Sequence, residues 1–146
     1  MDIVSSSVRS RMMSGIRGNN TRPEMIVRKY LHAAGLRYRL HQKQLPGTPD
    51  IVLRRFNVAI LVNGCFWHRH ADCKYATTPA SNESFWQKKF LANVQRDQKN
   101  VSLLIDQRWR VILVWECALR GESCKKVLED LLQDIRFGTE RFRIFG

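Results

Sequence analysis

Residues 58–73 pass from an unbroken apolar run, 58–62, straight into Asn63-Gly64-Cys65-Phe66-Trp67-His68-Arg69-His70-Ala71-Asp72-Cys73. The apolar run predicts a buried strand. Two of the four cysteines, two of the four histidines and one of the four tryptophans lie at its end, within 62–73. A core has little use for thiols, imidazoles and aromatics delivered together at the mouth of a strand, so this stretch reads as a site. Cys65, His70 and Cys73 stand in the spacing C-x4-H-x2-C, which suits the short arm of a structural zinc centre. Such a centre is tetrahedral and needs a fourth donor. Cys117 and Cys124 are the remaining thiols, and His68 is a third candidate for the place.

The rest of the chain must build a scaffold for that segment. With 146 residues there is room for one domain and one core. The order of elements indicates an α/β fold. Thr21-Arg22-Pro23-Glu24 has the form of a capping box. It opens a helix whose buried face is Ile26, Val27, Tyr30, Leu31 and Ala34, and which Gly35 ends. Leu36, Tyr38 and Leu40 alternate with Arg37, Arg39 and His41 as a half-exposed strand with a basic outer face. After the turn at 45–49, residues 50–53 read as a strand, 54–57 as a tight connection and 58–62 as the buried strand. A long helix is expected from Ser81 or Asn82 to about Gln107, with an apolar stripe of Phe85, Phe90, Val94, Val101, Leu104 and Ile105. A third buried strand over 111–115 and a last helix closing near Gly138 complete a sheet with helices on both faces. Ahead of it all, Val8, Met12 and Ile16 recur at helical spacing among Arg9, Arg11 and Arg17. This is a basic amphipathic arm over 1–20, either packed on the 21–146 domain or laid on DNA.

Charge narrows the partner. Twenty-five Lys and Arg against 13 Asp and Glu leave a net +12, dispersed along the chain rather than gathered in a tail. A folded basic surface of this kind calls for a polyanion, nucleic acid ahead of an anionic membrane. No apolar run has the length of a membrane span and the N-terminus has no signal-peptide core, so a cytoplasmic protein is expected. In that compartment the cysteines are metal ligands or free thiols rather than disulfides.

Pro49-Asp50, at the mouth of one strand and a dozen residues before the end of the next, matches the first half of a nuclease signature. Asp50 can bind Mg²⁺ there, though Pro-Asp is also ordinary turn chemistry. The second half of the signature, Asp/Glu-x-Lys, is replaced by Val62-Asn63-Gly64. His68 is then the candidate proton-transfer group, with Asp97 on the facing helix to orient it. Phe66-Trp67 and Phe85-Trp86 are aromatic pairs in polar surroundings. They could wedge between bases or pack in the core, and for Phe85, on the apolar stripe, packing is expected.

Taken together, Leu45-Pro46-Gly47-x-Pro49-Asp50, Gly64-Cys65-Phe66-Trp67-His68-x-His70, Asn93-Val94-x-Arg96-Asp97, and the stretch from Trp109-Arg110-Val111 through Trp115-Glu116-Cys117-Ala118-Leu119-Arg120-Gly121 closely resemble the very short patch repair (Vsr) endonucleases. The similarity runs from about residue 9 to residue 132. The resemblance implies a restriction-endonuclease-like, PD-(D/E)XK-type fold: a mixed central sheet flanked by helices, with a structural zinc site. It implies a Mg²⁺-dependent nick 5′ to the mispaired T of a T:G mismatch, the product of 5-methylcytosine deamination. Asp50 and the backbone carbonyl of Val62 would hold Mg²⁺, Glu24 would reach it through water, and His68 would be the acid/base residue with Asp97 as its partner. Zinc would be held by Cys65, His70, Cys73 and Cys117, leaving Cys124 a free thiol. Phe66, Trp67 and Trp86 would intercalate, and Met13 and Ile16 would wedge from the minor groove.

The chain departs from the family at Asn63, where a well-known member has a histidine that contributes to catalysis, and in a loop between His70 and Cys73 one residue longer. The expected partners are double-stranded DNA with a T:G mismatch and a mismatch-repair protein, acting on a monomer at the bacterial nucleoid. The competing readings are a zinc-stabilised DNA-binding module with lost cleavage and a restriction-type nuclease with another target.

Overall fold

Strands form where the apolar runs stand. The computed structural model describes residues 20–146; the basic arm, with Met13 and Ile16, lies outside the described residues. Five strands, β1 (Arg39–Leu40), β2 (Ile51–Leu53), β3 (Val58–Asn63), β4 (Arg110–Trp115) and β5 (Phe142–Phe145), make one sheet in the order β1-β2-β3-β4-β5. Three α-helices, α1 (Arg22–Ala33), α2 (Glu83–Asp106) and α3 (Ser123–Phe137), complete the described chain. The β1–β2 and β2–β3 pairs are antiparallel, while β3–β4 and β4–β5 are parallel. Connection length sets this mixture. A 3-10 turn at Arg54–Phe56 and Asn57 at φ 56° fold β3 directly back on β2, an αL position that Asn tolerates. A parallel pair needs a long crossover, and α2 and α3 are those crossovers.

Side chains alternate between two layers. Val58 and Ile60 of β3, with Ile51, Leu53, Ile112 and Val114, face Val27 and Leu31 of α1 and Leu128, Leu131 and Ile135 of α3. Ala59, Val52 and Val111 point the other way, onto Leu104 of α2 and Trp109. Helices therefore cover both faces, and a strand buried on both sides has no polar position to spare. That is why 58–62 is apolar throughout.

Several expectations need correction. The strand expected over 36–41 shortens to Arg39–Leu40, and β5 follows Gly138, where no further element was foreseen. Only Phe145 of β5 is buried, so the strand carries no apolar run to announce it. On α2 the stripe is phased on the neighbouring ring: Trp86 is buried and Phe85 is 58% exposed, because adjacent helical residues sit about 100° apart. Thr21 caps α1 without a side-chain hydrogen bond. Glu24, which the box would have kept at the helix end, is 2% exposed and turned into the interior.

Candidate active site and metal centre

The parallel register sets Val62 beside Val114 and Asn63 beside Trp115, so β3 and β4 finish together and release their next residues into one region. The segment after β3 coils rather than extends: His68 N–H donates to Gly64 O and His70 N–H to Cys65 O, both at 3.1 Å. Coiling, not strand alternation, separates the two histidines and sends them to different clusters.

His70 joins the thiols. Its Nδ1 is 3.7 Å from Cys65 Sγ and 3.4 Å from Cys117 Sγ. With Cys73 Sγ these donor atoms all lie within 4.8 Å of one another. The His70 ring is stacked on Trp115, centroids 4.2 Å apart and planes at 12°, which fixes its orientation. Burial, and then the neighbouring thiols, push the Cys65 thiol up to about 12. Cys73 is held below its ordinary value: burial acts against this, but hydrogen bonds from the Tyr75 and Ala76 backbone and the other thiols outweigh it. Three thiols this close cannot all ionise without a cation between them. A divalent ion reverses that penalty by taking the thiolates as ligands, so the group fits a metal. Cys117 takes the fourth place, whereas Cys124 packs at the margin of the α1–α3 core.

His68 turns instead to α2. Its Nδ1 stands 2.5 Å from Asp97 Oδ2. This pairing orients the ring and leaves Nε2 as the nitrogen that can exchange a proton with solvent or substrate. Asn93, one turn before Asp97, donates from Nδ2 to Trp67 O at 3.1 Å and is itself buried, so α2 grips the coil at two points. Arg69, at φ 54°, braces the same coil: its guanidinium donates to the carbonyls of Phe66, Ala76 and Thr77 and lies 4.0 Å over the Phe90 ring.

Asp50 comes from the far side of the cleft, just ahead of β2. Its Oδ2 accepts the Val62 N–H at 2.8 Å, tying it to the end of β3. Gly47, in the turn before it, lets this loop lie close against α2. Its φ is +75°, and a Cβ there would stand 2.9 Å from Asn100 Cβ on α2. Glu24, from α1, faces Asp50, and His41 completes a group whose ligand atoms all lie within 4.8 Å of one another. Burial drives Asp50 up to about 7, and the Glu24 carboxylate beside it acts in the same direction. Burial also works to raise Glu24, but its hydrogen bonds with His41 and Asp50, the His41 charge and the Asn20 N–H prevail and hold it low. Two buried carboxylates face to face need a proton or a cation between them. Their oxygens suit a hard divalent ion.

Both halves open on one cleft of about 1250 Å³, whose wall includes Glu24, Asp50, Asn63, His68, Asn93 and Asp97. Asn63 is buried at its floor, at the end of β3. Phe66 packs edge to face on Trp67, Trp86 and Phe90 beside it, Trp86 is stacked on Phe90, and Trp67 and Trp86 are only 7% and 8% exposed. His41 and Asn93 entered no site expected from sequence. His41 looked like one more basic residue on an outer strand face, and Asn93 stood inside a quoted motif without a role.

Comparison with known proteins identifies the relatives of this chain. A family model described as DNA mismatch endonuclease Vsr matches residues 1–75. The Type II nicking enzyme V.XorIIP of Xanthomonas oryzae pv. oryzae is 45% identical over 118 residues, 81% of this chain and 86% of that protein. The Type II nicking enzyme V.NmeAIP of Neisseria meningitidis is 40% identical over 136 residues, 92% of this chain and 96% of that protein. The DNA mismatch endonuclease Vsr of Escherichia coli is 38% identical over 122 residues, 84% of this chain and 78% of that protein.

Proposed function

The chain belongs to the Vsr family of DNA mismatch endonucleases, and from that premise we propose that it nicks one strand of duplex DNA on the 5′ side of the mispaired T in a T:G mismatch, with Mg²⁺ as cofactor. The observation that carries the reading is the convergence of Asp50, on one wall, with the His68–Asp97 pair, on the other, in a single cleft. An acid that can hold a metal and an imidazole that can move a proton are the two things phosphodiester hydrolysis asks of a protein.

Asp50 and the Val62 carbonyl would hold Mg²⁺, with Glu24 acting through water. When bound, the ion supplies Lewis-acid stabilisation of charge on the phosphate oxygens. His68 exchanges a proton at Nε2 while Asp97 fixes the ring through Nδ1. The four-donor group of Cys65, His70, Cys73 and Cys117 would hold zinc, its soft thiolate set being the one zinc takes in structural sites. The fold would be of the PD-(D/E)XK type, with Val62 and Gly64 standing where the signature has its acid and its lysine.

Phe66, Trp67 and Trp86 would stack beside the mismatch. Because Trp67 and Trp86 are covered by each other and by Phe90, stacking on bases requires that cluster to part. Met13 and Ile16, on an N-terminal arm over 1–20, would enter the minor groove. The net +12 gives the protein a sequence-independent hold on phosphates. A cytoplasmic, nucleoid-bound monomer that hands its nick to a mismatch-repair partner completes the proposal.

The test is a nicking assay with Mg²⁺ on T:G, C:G and other mismatched duplexes, comparing wild type with Asp50→Ala. The expected outcome is a nick on T:G by the wild type alone. Equal nicking by both proteins would place the chemistry outside this cleft. Binding without nicking by either would identify a DNA-binding module, and cleavage of matched duplex would identify a restriction-type enzyme.

A further inference from the structure

His41 belongs to the carboxylate group yet lies in none of the motifs that point to the family. It reaches the group by a reversal of the chain. β1 ends at Leu40, and His41 takes φ 46°, a left-handed conformation that a residue with a side chain adopts at a cost and holds only when its surroundings enforce it. Two contacts do so. The His41 N–H donates to the carbonyl oxygen of Asp50 at 3.1 Å, and the ring presents Nε2 to Glu24 Oε1 at 2.9 Å. One residue thus touches both acids, the first through its backbone and the second through its side chain.

Glu24 has little freedom otherwise. Its Oε2 accepts the Asn20 N–H at 2.9 Å and lies 3.4 Å from the Arg28 guanidinium. Oε1 is the oxygen whose direction His41 decides. Both side chains are largely removed from water, His41 at 17% exposure and Glu24 at 2%, so water does not compete for the contact. An ionised carboxylate only accepts hydrogen bonds. Nε2 therefore carries its hydrogen and is engaged as a donor, which excludes it as a metal ligand in this arrangement.

We propose that His41 is a positioning residue that holds Glu24 in place beside Asp50 at the cation site. The inference rests on the reading of Asp50 as the metal-holding acid. Groups that orient metal ligands in this way typically contribute about 10- to 100-fold in metal affinity.

The experiment uses the full chain in its zinc-loaded form and measures Mn²⁺ binding by loss of the free-ion EPR signal. Wild type, His41→Ala, His41→Gln and Asp50→Asn are compared, with zinc content and thermal transition recorded for each. His41→Ala should weaken Mn²⁺ by roughly 10- to 100-fold. His41→Gln, whose amide N–H can still reach Glu24, should recover most of that loss, and pulsed EPR of bound Mn²⁺ should show no coupling to an imidazole nitrogen.

Unchanged affinity in His41→Ala, alongside weakened binding in Asp50→Asn, would overturn the role of His41 while leaving Asp50 in place. So would a nitrogen coupling that disappears in His41→Gln, since His41 would then be a ligand. Wild-type affinity in Asp50→Asn would remove the site itself, and the proposal with it. A Glu24→Gln background guards against mere misfolding: there His41→Ala should add no further loss, and an equal loss in both backgrounds would refute positioning through Glu24.

Discussion

The two metal-ready groups of this protein stand within one region of the sheet but are built on opposite terms. Cys65, His70, Cys73 and Cys117 are soft donors, three of them within nine residues of chain. Glu24, His41 and Asp50 are two hard acids and one imidazole, gathered from α1, the end of β1 and the start of β2. The thiol group ties two parallel strand ends together. The carboxylate group is held by its own hydrogen bonds, and burial, with Glu24 beside it, drives the Asp50 carboxyl up to about 7. On the proposed reading, one group would give its ligands to the fold and the other its charge to the substrate. On that reading, a cross-link confined to the thiols would leave the acids unsatisfied, as a catalytic metal position requires.

The largest effect that can break this comparison is loss of the thiol centre. Cys117→Ala should give metal-free, unfolded or insoluble protein, since structural zinc contributes on the order of 10 kcal/mol to folding in small peptides. Metal analysis and thermal unfolding measure it; normal folding of a wild type without zinc would put both groups on the same footing. Next comes Asp50→Ala, which should abolish the nick yet keep zinc content and the thermal transition. A folding defect as severe as that of Cys117→Ala would mean that the acids are structural too.

His68→Ala should slow the nick by about 10²- to 10⁴-fold, the usual worth of a proton-transfer group. Zinc content and the Mg²⁺ concentration for half-maximal rate should not move. A shifted Mg²⁺ requirement would assign His68 to the metal rather than to the proton.

The smallest effect is the most specific. Asp50 has a folded pKa of about 7 against an ordinary 3.8, so between these values the folded chain binds the extra proton. Without added divalent metal, stability should therefore fall as pH rises from about 5 to 7, by up to about 1.4 kcal/mol per unit, and level off above. Glu24, held low, contributes stability that is lost only as pH falls below its ordinary 4.5, outside that window. Mg²⁺ or Asp50→Asn should flatten the slope. A slope unchanged by Asp50→Asn would show that the proton sits elsewhere.

Much of this was legible in the amino-acid order, and the parts that were not share a cause. Local chemistry determined the thiol arm, because Cys65, His70 and Cys73 are close enough that any coil brings them together. It also determined the buried strands, because β3 and β4 are apolar on both faces and admit no other place. The motif residues Asp50, His68 and Asp97 were named from sequence, and the structure brings His68 to Asp97 and all three to one cleft. Residue spacing left Cys117 and Cys124 open; the family resemblance favoured Cys117, and the physical reason, β4 ending beside β3 in parallel register, is a property of the tertiary structure.

It also decided which aromatic of α2 is inside, a matter of 100° of helix phase that composition cannot resolve at a helix end where Phe85 and Trp86 are equally apolar. β5 needed the edge of β4 to exist at all. His41 is the clearest case: on the chain it is a basic residue at an outer strand position. Only the β1–β2 pairing and a left-handed backbone set it against Glu24 and Asp50 at once. Contacts between distant segments are fixed by packing, and packing is a property of the whole chain rather than of any stretch of it.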